Sequence, residues 1–234
     1  MLNFISSSEF YDRFALEFDS YAKSKQNYLD AIDRLVIHNV PKGIRVLDIG
    51  SGTGKRILKI SKSIQPSELV CFDNSPKMVE MLNASGLSAN CVDISEDIKS
   101  FKQKQFDLVL CMWNVLGHVP RSKQAKAFKN ISKLLTDGGK LIFDVNNRHN
   151  IKAYGLIRVL RNFFLGTFGL IKGDYPLQLN GNTTSVHIFS EREIRKLLYD
   201  VGFKINKIVY VNYASGEIEK SQWSGQLLVI AEKV

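Results

Sequence analysis

Between Arg45 and Val145 short apolar runs that read as strands alternate with amphipathic runs that read as helices, and this alternation limits the possible folds more than any other feature. The strands are expected over residues 45–49, 68–72, 89–92, 106–111 and 140–145. The helices are expected over 55–63, 76–84 and 122–135, with a short one near 94–101. Several of the strands are nearly continuous β-branched or apolar runs with no face left for water. Such strands belong in a parallel sheet covered by helices on both sides, a doubly wound α/β fold. The 234 residues give room for one such domain with a substantial core.

The flanks of this alternation read differently. Residues 1–43 form a helical lead-in, with Phe14, Phe18, Tyr21, Tyr28, Ile32, Leu35 and Val36 at helical spacing before Pro41-Lys42-Gly43 ends it. Residues 44–145 form the core, and 146–185 form an insertion. The middle of that insertion, 151–172, is apolar and places Arg158, Arg161 and Asn162 on one helical face. Three uses fit it: packing over the sheet edge, a lid over substrate, or contact with a membrane surface. Residues 186–234 hold a helix over 190–201, marked by the Ser190/Glu193 capping box and stopped by Gly202. Two strands follow, 205–213 and 226–232, as an antiparallel hairpin that brings the mostly parallel sheet to seven strands.

Composition narrows the class further. Cys71, Cys91 and Cys111 fall in strand-like runs without metal-ligand spacing, which predicts reduced core residues, no metal site and a cytoplasmic protein. The N-terminus lacks the basic start and long apolar run of a secretory signal. The longest oily stretch, 163–171, is broken by Gly166 and Gly169 and falls far short of the ~18 apolar residues of a membrane span. A formal net charge of +9 favours anionic partners without naming one.

The turn Gly50-Ser51-Gly52-Thr53-Gly54 follows the first strand, which ends in Asp48-Ile49. Its glycines let a ligand approach the backbone, and the next helix offers free N–H groups and a positive dipole end. A phosphate-cradling P-loop needs GxxxxGK[ST]; here Gly50 and Gly54 stand one residue too close, and Arg56 replaces the magnesium-binding hydroxyl. A dinucleotide turn needs a third glycine where Lys55 stands, and Asp48 would set a carboxylate before a pyrophosphate. S-adenosylmethionine, with a cationic amine and a sulfonium beside one carboxylate, suits an acidic strand end better.

Asp48, Gly50, Gly52 and Gly54, followed by Asp73 and Asp93 at the next strand ends, resemble the motifs of the class I S-adenosylmethionine-dependent methyltransferases. The resemblance covers most of the chain from Arg45, including Phe106-Asp107-Leu108-Val109-Leu110 and the Asp137-Gly138-Gly139 turn. It implies a Rossmann-like methyltransferase fold and S-adenosyl-L-methionine as cofactor. It also implies roles. Asp48 would partner the amine, Gly50, Ser51, Gly52 and Gly54 would form the turn against the cofactor, and Asp73 would take both ribose hydroxyls. Asn74 and Met78 would flank the adenosine, Asp93 and Ile94 would hold the adenine, and Met112 and Trp113 would wall the cofactor.

Methyl transfer from a sulfonium is an in-line displacement, so alignment in a water-poor pocket carries much of the work. An amine acceptor needs only to arrive deprotonated, whereas a hydroxyl needs a base or a metal. His118 is the general-base candidate because imidazole titrates near neutrality; its alternative is a hydrogen bond to a helix-start backbone. Asn114 is placed to orient a polar substrate group. Tyr11, Tyr21 and His187, with Tyr210 and Tyr213, are further pocket candidates. The chain departs from the NPP[YF] signature of nucleobase amino-methyltransferases, since Val115-Leu116 follow Asn114, and from the Pro-Cys pair of cytosine C5 enzymes. It has neither the paired glutamates of protein arginine enzymes nor the Asp partner that Asp144 and Asn146 would need in catechol-type enzymes. What remains resembles the small-molecule O-, N- and C-methyltransferases, including quinone-biosynthesis and natural-product enzymes. A small-molecule acceptor is therefore expected, with RNA as the alternative and a non-catalytic cofactor-binding domain as a third.

Overall fold

The structure, a computed structural model, describes residues 3–98, 101, 105–161 and 173–234 in full and residues 162–165 as helical backbone. The lead-in folds as three helices, α1 (Ser7–Phe14), α2 (Phe18–Lys23) and α3 (Gln26–Asn39). Ser6 starts α1 by accepting the Glu9 N–H, one of the donors a helix end leaves unpaired. The alternating core follows as β1 (Arg45–Ile49), α4 (Lys55–Ile64), β2 (Glu68–Asp73), α5 (Pro76–Ala84), β3 (Ser88–Cys91), β4 (Phe106–Cys111), α6 (Arg121–Leu134) and β5 (Leu135–Val145). The remainder is α7 (Ile151–Tyr154), α8 (Leu156–Leu165), β6 (Asp174–Leu179), β7 (Asn182–His187), α9 (Glu191–Asp200), β8 (Phe203–Val211), β9 (Ile218–Glu219) and β10 (Gln226–Lys233).

The main sheet runs β3-β2-β1-β4-β5-β10-β8-β9. Its first five strands are parallel, and β10 returns antiparallel between β5 and β8. The central strands are buried on both faces: Leu47, Val109 and Phe143 pack with α6 and α9 residues, while Val46, Leu108, Leu110 and Ile142 pack with α3 and α4 residues. Losing any one of the large aliphatic side chains to alanine would cost about 2–5 kcal/mol. The doubly wound fold is therefore as the alternation predicts.

Four details differ. The main sheet has eight strands rather than seven, because the two-residue β9 joins the edge of β8. The insertion contains a separate two-stranded sheet, β6 with β7, beyond its helices. Asn180 (φ +50°) and Gly181 (φ +76°) form its tight turn, since a two-residue hairpin connection that follows the twist of its strands needs positive φ at both positions. Cys91 is exposed on edge strand β3, whereas Cys71 and Cys111 are buried as expected. In the expected helix near 94–101, Ile94–Ile98 are turn and irregular backbone; residues 99 and 100 lie outside the described residues.

Candidate active site

A cavity of about 460 Å³ opens at the C-terminal ends of β1, β2 and β4. The strand order reverses between β1 and β4, and open α/β sheets bind ligands at such a point. Gly50 and Gly52 line the cavity with positive φ, and neither tolerates a side chain. A Cβ at Gly50 would stand 2.3 Å from Val115 Cγ2, and one at Gly52 would stand 3.0 Å from the Phe18 ring.

Asp73 ends β2 beneath this turn. Its Oδ2 accepts the Gly52 N–H at 2.9 Å, and its Oδ1 accepts the Ser75 N–H at 3.0 Å. Burial nevertheless pushes its carboxyl up to about 6, against those two bonds, which favour the ionised form. Burial pushes Asp48 on β1 up to about 7, with Ser51 and Arg56 opposing. After β3, Asp93 Oδ1 accepts both the backbone N–H and the hydroxyl of Ser95, at 2.8 and 2.6 Å. Asp73 and Asp93 line the cavity with Asn74, Met78 and Ile94, whereas Asp48, Ser51 and Gly54 stand behind the lining.

The loop after β4 is held in an uncommon backbone state. Trp113 (φ +67°) and Asn114 (φ +62°) are both left-handed, which non-glycine residues adopt only where their surroundings enforce it. Asp144, buried at the end of β5, supplies that enforcement. Its Oδ1 accepts the Trp113 N–H at 2.6 Å, its carbonyl accepts the Asn114 N–H at 3.0 Å, and its Oδ2 accepts the Tyr28 hydroxyl at 2.7 Å. Asn114 Oδ1 accepts the Asn146 N–H at 2.9 Å. That oxygen thus helps to fix the loop.

Aromatic rings from α1 and α2 roof the cavity. Tyr21 stacks on the Trp113 indole with centroids 5.6 Å apart, Phe18 meets the same indole edge-on at 5.4 Å, and Phe14 packs against both Phe18 and Tyr21. Trp113 Nε1 donates to Tyr213 at 3.2 Å. Polar contacts fasten these helices to the floor. Asp19 accepts the Thr53 hydroxyl at 2.6 Å and pairs with Lys55 at 2.8 Å, Ser8 donates to the Asn74 carbonyl at 2.7 Å, and Asp12 accepts the Lys77 N–H at 3.0 Å. The β6–β7 hairpin completes the roof with Tyr175, Leu177, Leu179 and Val186. It is joined to the N-terminus where the Ile5 N–H donates to the Thr183 carbonyl at 2.9 Å.

His118 meets Tyr11 inside this enclosure, with Nε2 2.9 Å from the phenolic oxygen. Burial lowers its imidazole to about 4, so it is neutral near pH 7 and a weaker base than a free histidine. Its Nδ1 is buried without a hydrogen-bond partner among the described residues, so the bond to a helix-start backbone is not formed. Tyr11, Tyr21, Met112, Trp113, Asn114 and Tyr213 all line the cavity. His187 does not. It lies between Asp174 (2.5 Å) and Glu193 (3.1 Å), with Arg148 on the same glutamate, in a buried ion cluster that ties β7 to β6 and α9. Tyr210 is also outside the cavity, donating its hydroxyl to Glu191 on α9.

A family model described as a methyltransferase domain matches residues 18–208. The chain belongs to the class I S-adenosylmethionine-dependent methyltransferase family. Its cofactor is S-adenosyl-L-methionine and its activity is methyl transfer. The methyltransferase is 30% identical over 139 residues to malonyl-[acyl-carrier protein] O-methyltransferase 1 of Ilyobacter polytropus, covering 57% of this chain and only 49% of that protein. It is 24% identical to the protein MJ1252 of Methanocaldococcus jannaschii, over 91% of this chain and 82% of the relative. A solved Thermotoga maritima structure, described as a possible histamine N-methyltransferase, superposes with a TM-score of 0.67 at 18% identity, over 97% of this chain and 98% of that one. At that identity the likeness is one of fold.

The methyltransferase site also contains residues that motif spacing does not mark. Phe14 and Phe18 are visible in the sequence as a helical stripe, but nothing local tells which surface the stripe covers. Asp12 and Asp19 read as ordinary helix-surface carboxylates until the helices are docked. Tyr175 belongs to the β6–β7 hairpin, for which Asn180-Gly181 between two short alternating runs is the available signal.

Proposed function

We propose that this methyltransferase acts on an O, N or C atom of a small-molecule acceptor held between the Trp113–His118 loop and the roof. Enclosure carries this reading: α1, α2 and the β6–β7 hairpin cover the strand ends, and the cavity size is within the range of small-molecule sites. An RNA enzyme would need, besides a pocket for a flipped base, a basic groove for the strand. When bound, S-adenosylmethionine supplies an electrophilic methyl group on its sulfonium. The polar groups suit that molecule. Asp73 and Asp93 are acceptors set for ribose hydroxyls and an adenine amino group, while Asn74, Met78 and Ile94 flank them. Asp48 and the turn Gly50, Ser51, Gly52 and Gly54 serve the amine and carboxylate, and Met112 and Trp113 wall the reacting end. A pyrophosphate at the same place would face two carboxylates at close quarters.

Tyr11, Tyr21 and Asn114 are assigned to acceptor contact, and His118 to orienting it through a hydrogen bond. We read the whole chain, 1–234, as one methyltransferase domain working in the cytoplasm. Among the described residues no helix is long and apolar enough to cross a membrane. Part of the expected lid over 151–172 lies outside the described residues; of the remainder, Tyr154 lines the cavity. The decisive experiment is a screen of small-molecule acceptors with methyl-labelled cofactor, run beside RNA binding across a salt series. Label transfer to a small acceptor is expected. A steeply salt-dependent RNA affinity with label in RNA would overturn the small-molecule assignment.

A further inference from the structure

Helix α8 presents a cluster of exposed aliphatic side chains beside arginines. Val159 is its buried anchor, while Leu156, Ile157 and Leu160 are exposed, Ile157 to 85%. Arg158 and Arg161 are exposed beside them, and neither has a carboxylate partner among the described residues. No acidic residue stands between Asp144 and Asp174 in the sequence, and of the basic residues there Arg148 and Lys152 reach outside the segment to Glu193 and Glu219 at 2.7 Å each. Helix α9 shows the ordinary alternative. Its exposed Tyr199 is surrounded by the ion pairs Arg195–Glu191 and Lys196–Asp200, as on a solvated face.

From this geometry we infer that α8 docks the protein onto an anionic phospholipid surface. Exposed aliphatic side chains beside arginines with no carboxylate partner among the described residues match the two layers of such a surface, with the aliphatics entering the acyl boundary and the guanidinium groups meeting headgroup phosphates. RNA would satisfy the arginines and leave Ile157 and Leu160 in water. At ten residues α8 is too short to span a bilayer, so it lies along the interface. Its position also has a consequence for the site. Tyr154 lines both the main cavity and the shallow cleft formed with Leu156, Ile157, Arg158 and Arg161. Docking through α8 therefore brings that flank of the cavity to the membrane surface, where lipid-dissolved acceptors are concentrated.

The test is co-sedimentation of the full chain with phosphatidylcholine vesicles and with vesicles of phosphatidylcholine mixed with phosphatidylglycerol, at low and high salt. Sedimentation with the anionic vesicles alone, reduced at high salt, is expected. Arg158→Gln and Arg161→Gln should each weaken it about fivefold, at roughly 1 kcal/mol per basic residue. The double variant Ile157→Glu/Leu160→Glu should abolish it, and Tyr199→Glu on α9 should leave it unchanged. Cofactor affinity, measured on every variant, should stay at the wild-type value, which separates failure of docking from failure of the site. Absence of sedimentation, or sedimentation indifferent to the α8 substitutions, would overturn the inference. So would RNA retention that depends on the two arginines in a protein that ignores vesicles.

Discussion

The floor and the roof of the cavity are built on different principles. The floor is backbone and carboxylate: Gly50 and Gly52 at positive φ, Asp73 clasping the Gly52 N–H, and Asp48 and Asp93 at neighbouring strand ends. The roof is aromatic: Tyr21 stacks on Trp113, Phe18 meets it edge-on and Phe14 packs against both Phe18 and Tyr21, all from two short helices fastened to the floor by a few hydrogen bonds and an ion pair. The floor is part of the sheet and shares its stability. The roof is attached through contacts that can be broken one at a time, at about 1 kcal/mol each for neutral hydrogen bonds and aromatic pairs. Binding affinity should therefore fall steeply on damage to the floor and gently on damage to the roof.

The largest effect is expected from Asp73→Ala. A charge-assisted hydrogen bond is worth about 1.5–3 kcal/mol, so losing a pair should lower cofactor affinity by at least about a hundredfold by titration calorimetry. A loss of only a few fold would mean that Asp73 does no more than hold the glycine turn.

Next in size is an effect of pH. Burial raises Asp48 to about 7 and Asp73 to about 6, well above an ordinary carboxylate. Between the unfolded value near 4 and these values, the folded protein holds protons that the unfolded chain has lost. The contribution of these two groups to stability therefore falls as pH rises through that window and levels off above about 7. With Asp48 assigned to the amine and Asp73 to the ribose as proposed, cofactor binding has the opposite sign, because the ionised carboxylates are the better acceptors. Lowering the pH from about 8 to about 6 should weaken binding about tenfold while the thermal midpoint of the free protein rises. If both quantities moved in the same direction, the two carboxylates would not be the groups responsible.

The same division explains what could be read from the sequence. The floor depends on local chemistry: Asp48 through Gly54 and Asp73 occupy strand ends and turns that neighbouring residues determine, and β1, β4 and α5 lie where the apolar runs and Pro76 put them. The roof depends on tertiary docking. The spacing of Phe14, Phe18 and Tyr21 specifies a helical stripe, but its target, Gly52 and Trp113, is decided only when Asp19 reaches Thr53 and Lys55. His187 fails for the same reason. A histidine near the insertion has no sequence mark distinguishing a cavity wall from an ion cluster, and Asp174 and Glu193 claim both of its nitrogens. The β6–β7 hairpin is not expected from the sequence, where it falls within the insertion; Asn180-Gly181 carries its signal, but Pro176 disguises the first strand because proline cannot donate to a ladder.

A smaller effect is expected at the roof. Phe18→Ala removes the ring that lies over Gly52 and the edge contact to Trp113. An aromatic pair is worth about 0.5–1.5 kcal/mol beyond its buried area, so cofactor affinity should weaken about fivefold. Tryptophan fluorescence should report a more solvated indole in the same variant. A loss as large as that of Asp73→Ala would erase the distinction between floor and roof and make Phe18 part of the binding surface proper.

The smallest effect decides what kind of chemistry the enclosure supports. A general base contributes about a hundredfold to ten-thousandfold, and its loss removes from the rate the fall at low pH that protonation of the base causes. Burial lowers His118 to about 4 and Tyr11 engages it, which supports the proposed role of orienting an acceptor over that of taking its proton. His118→Gln keeps a hydrogen-bonding group of similar reach, so methyl transfer at saturating cofactor should fall only about threefold, with the shape of the pH–rate profile kept. Tyr11→Phe should match it in size, because each substitution breaks the same bond from one side, and the double variant should cost no more than the larger single one. A thousandfold loss in His118→Gln with Tyr11→Phe nearly silent would instead assign proton removal to the imidazole, and the acceptor atom would then have to be one that loses a proton as it is methylated, as a hydroxyl does.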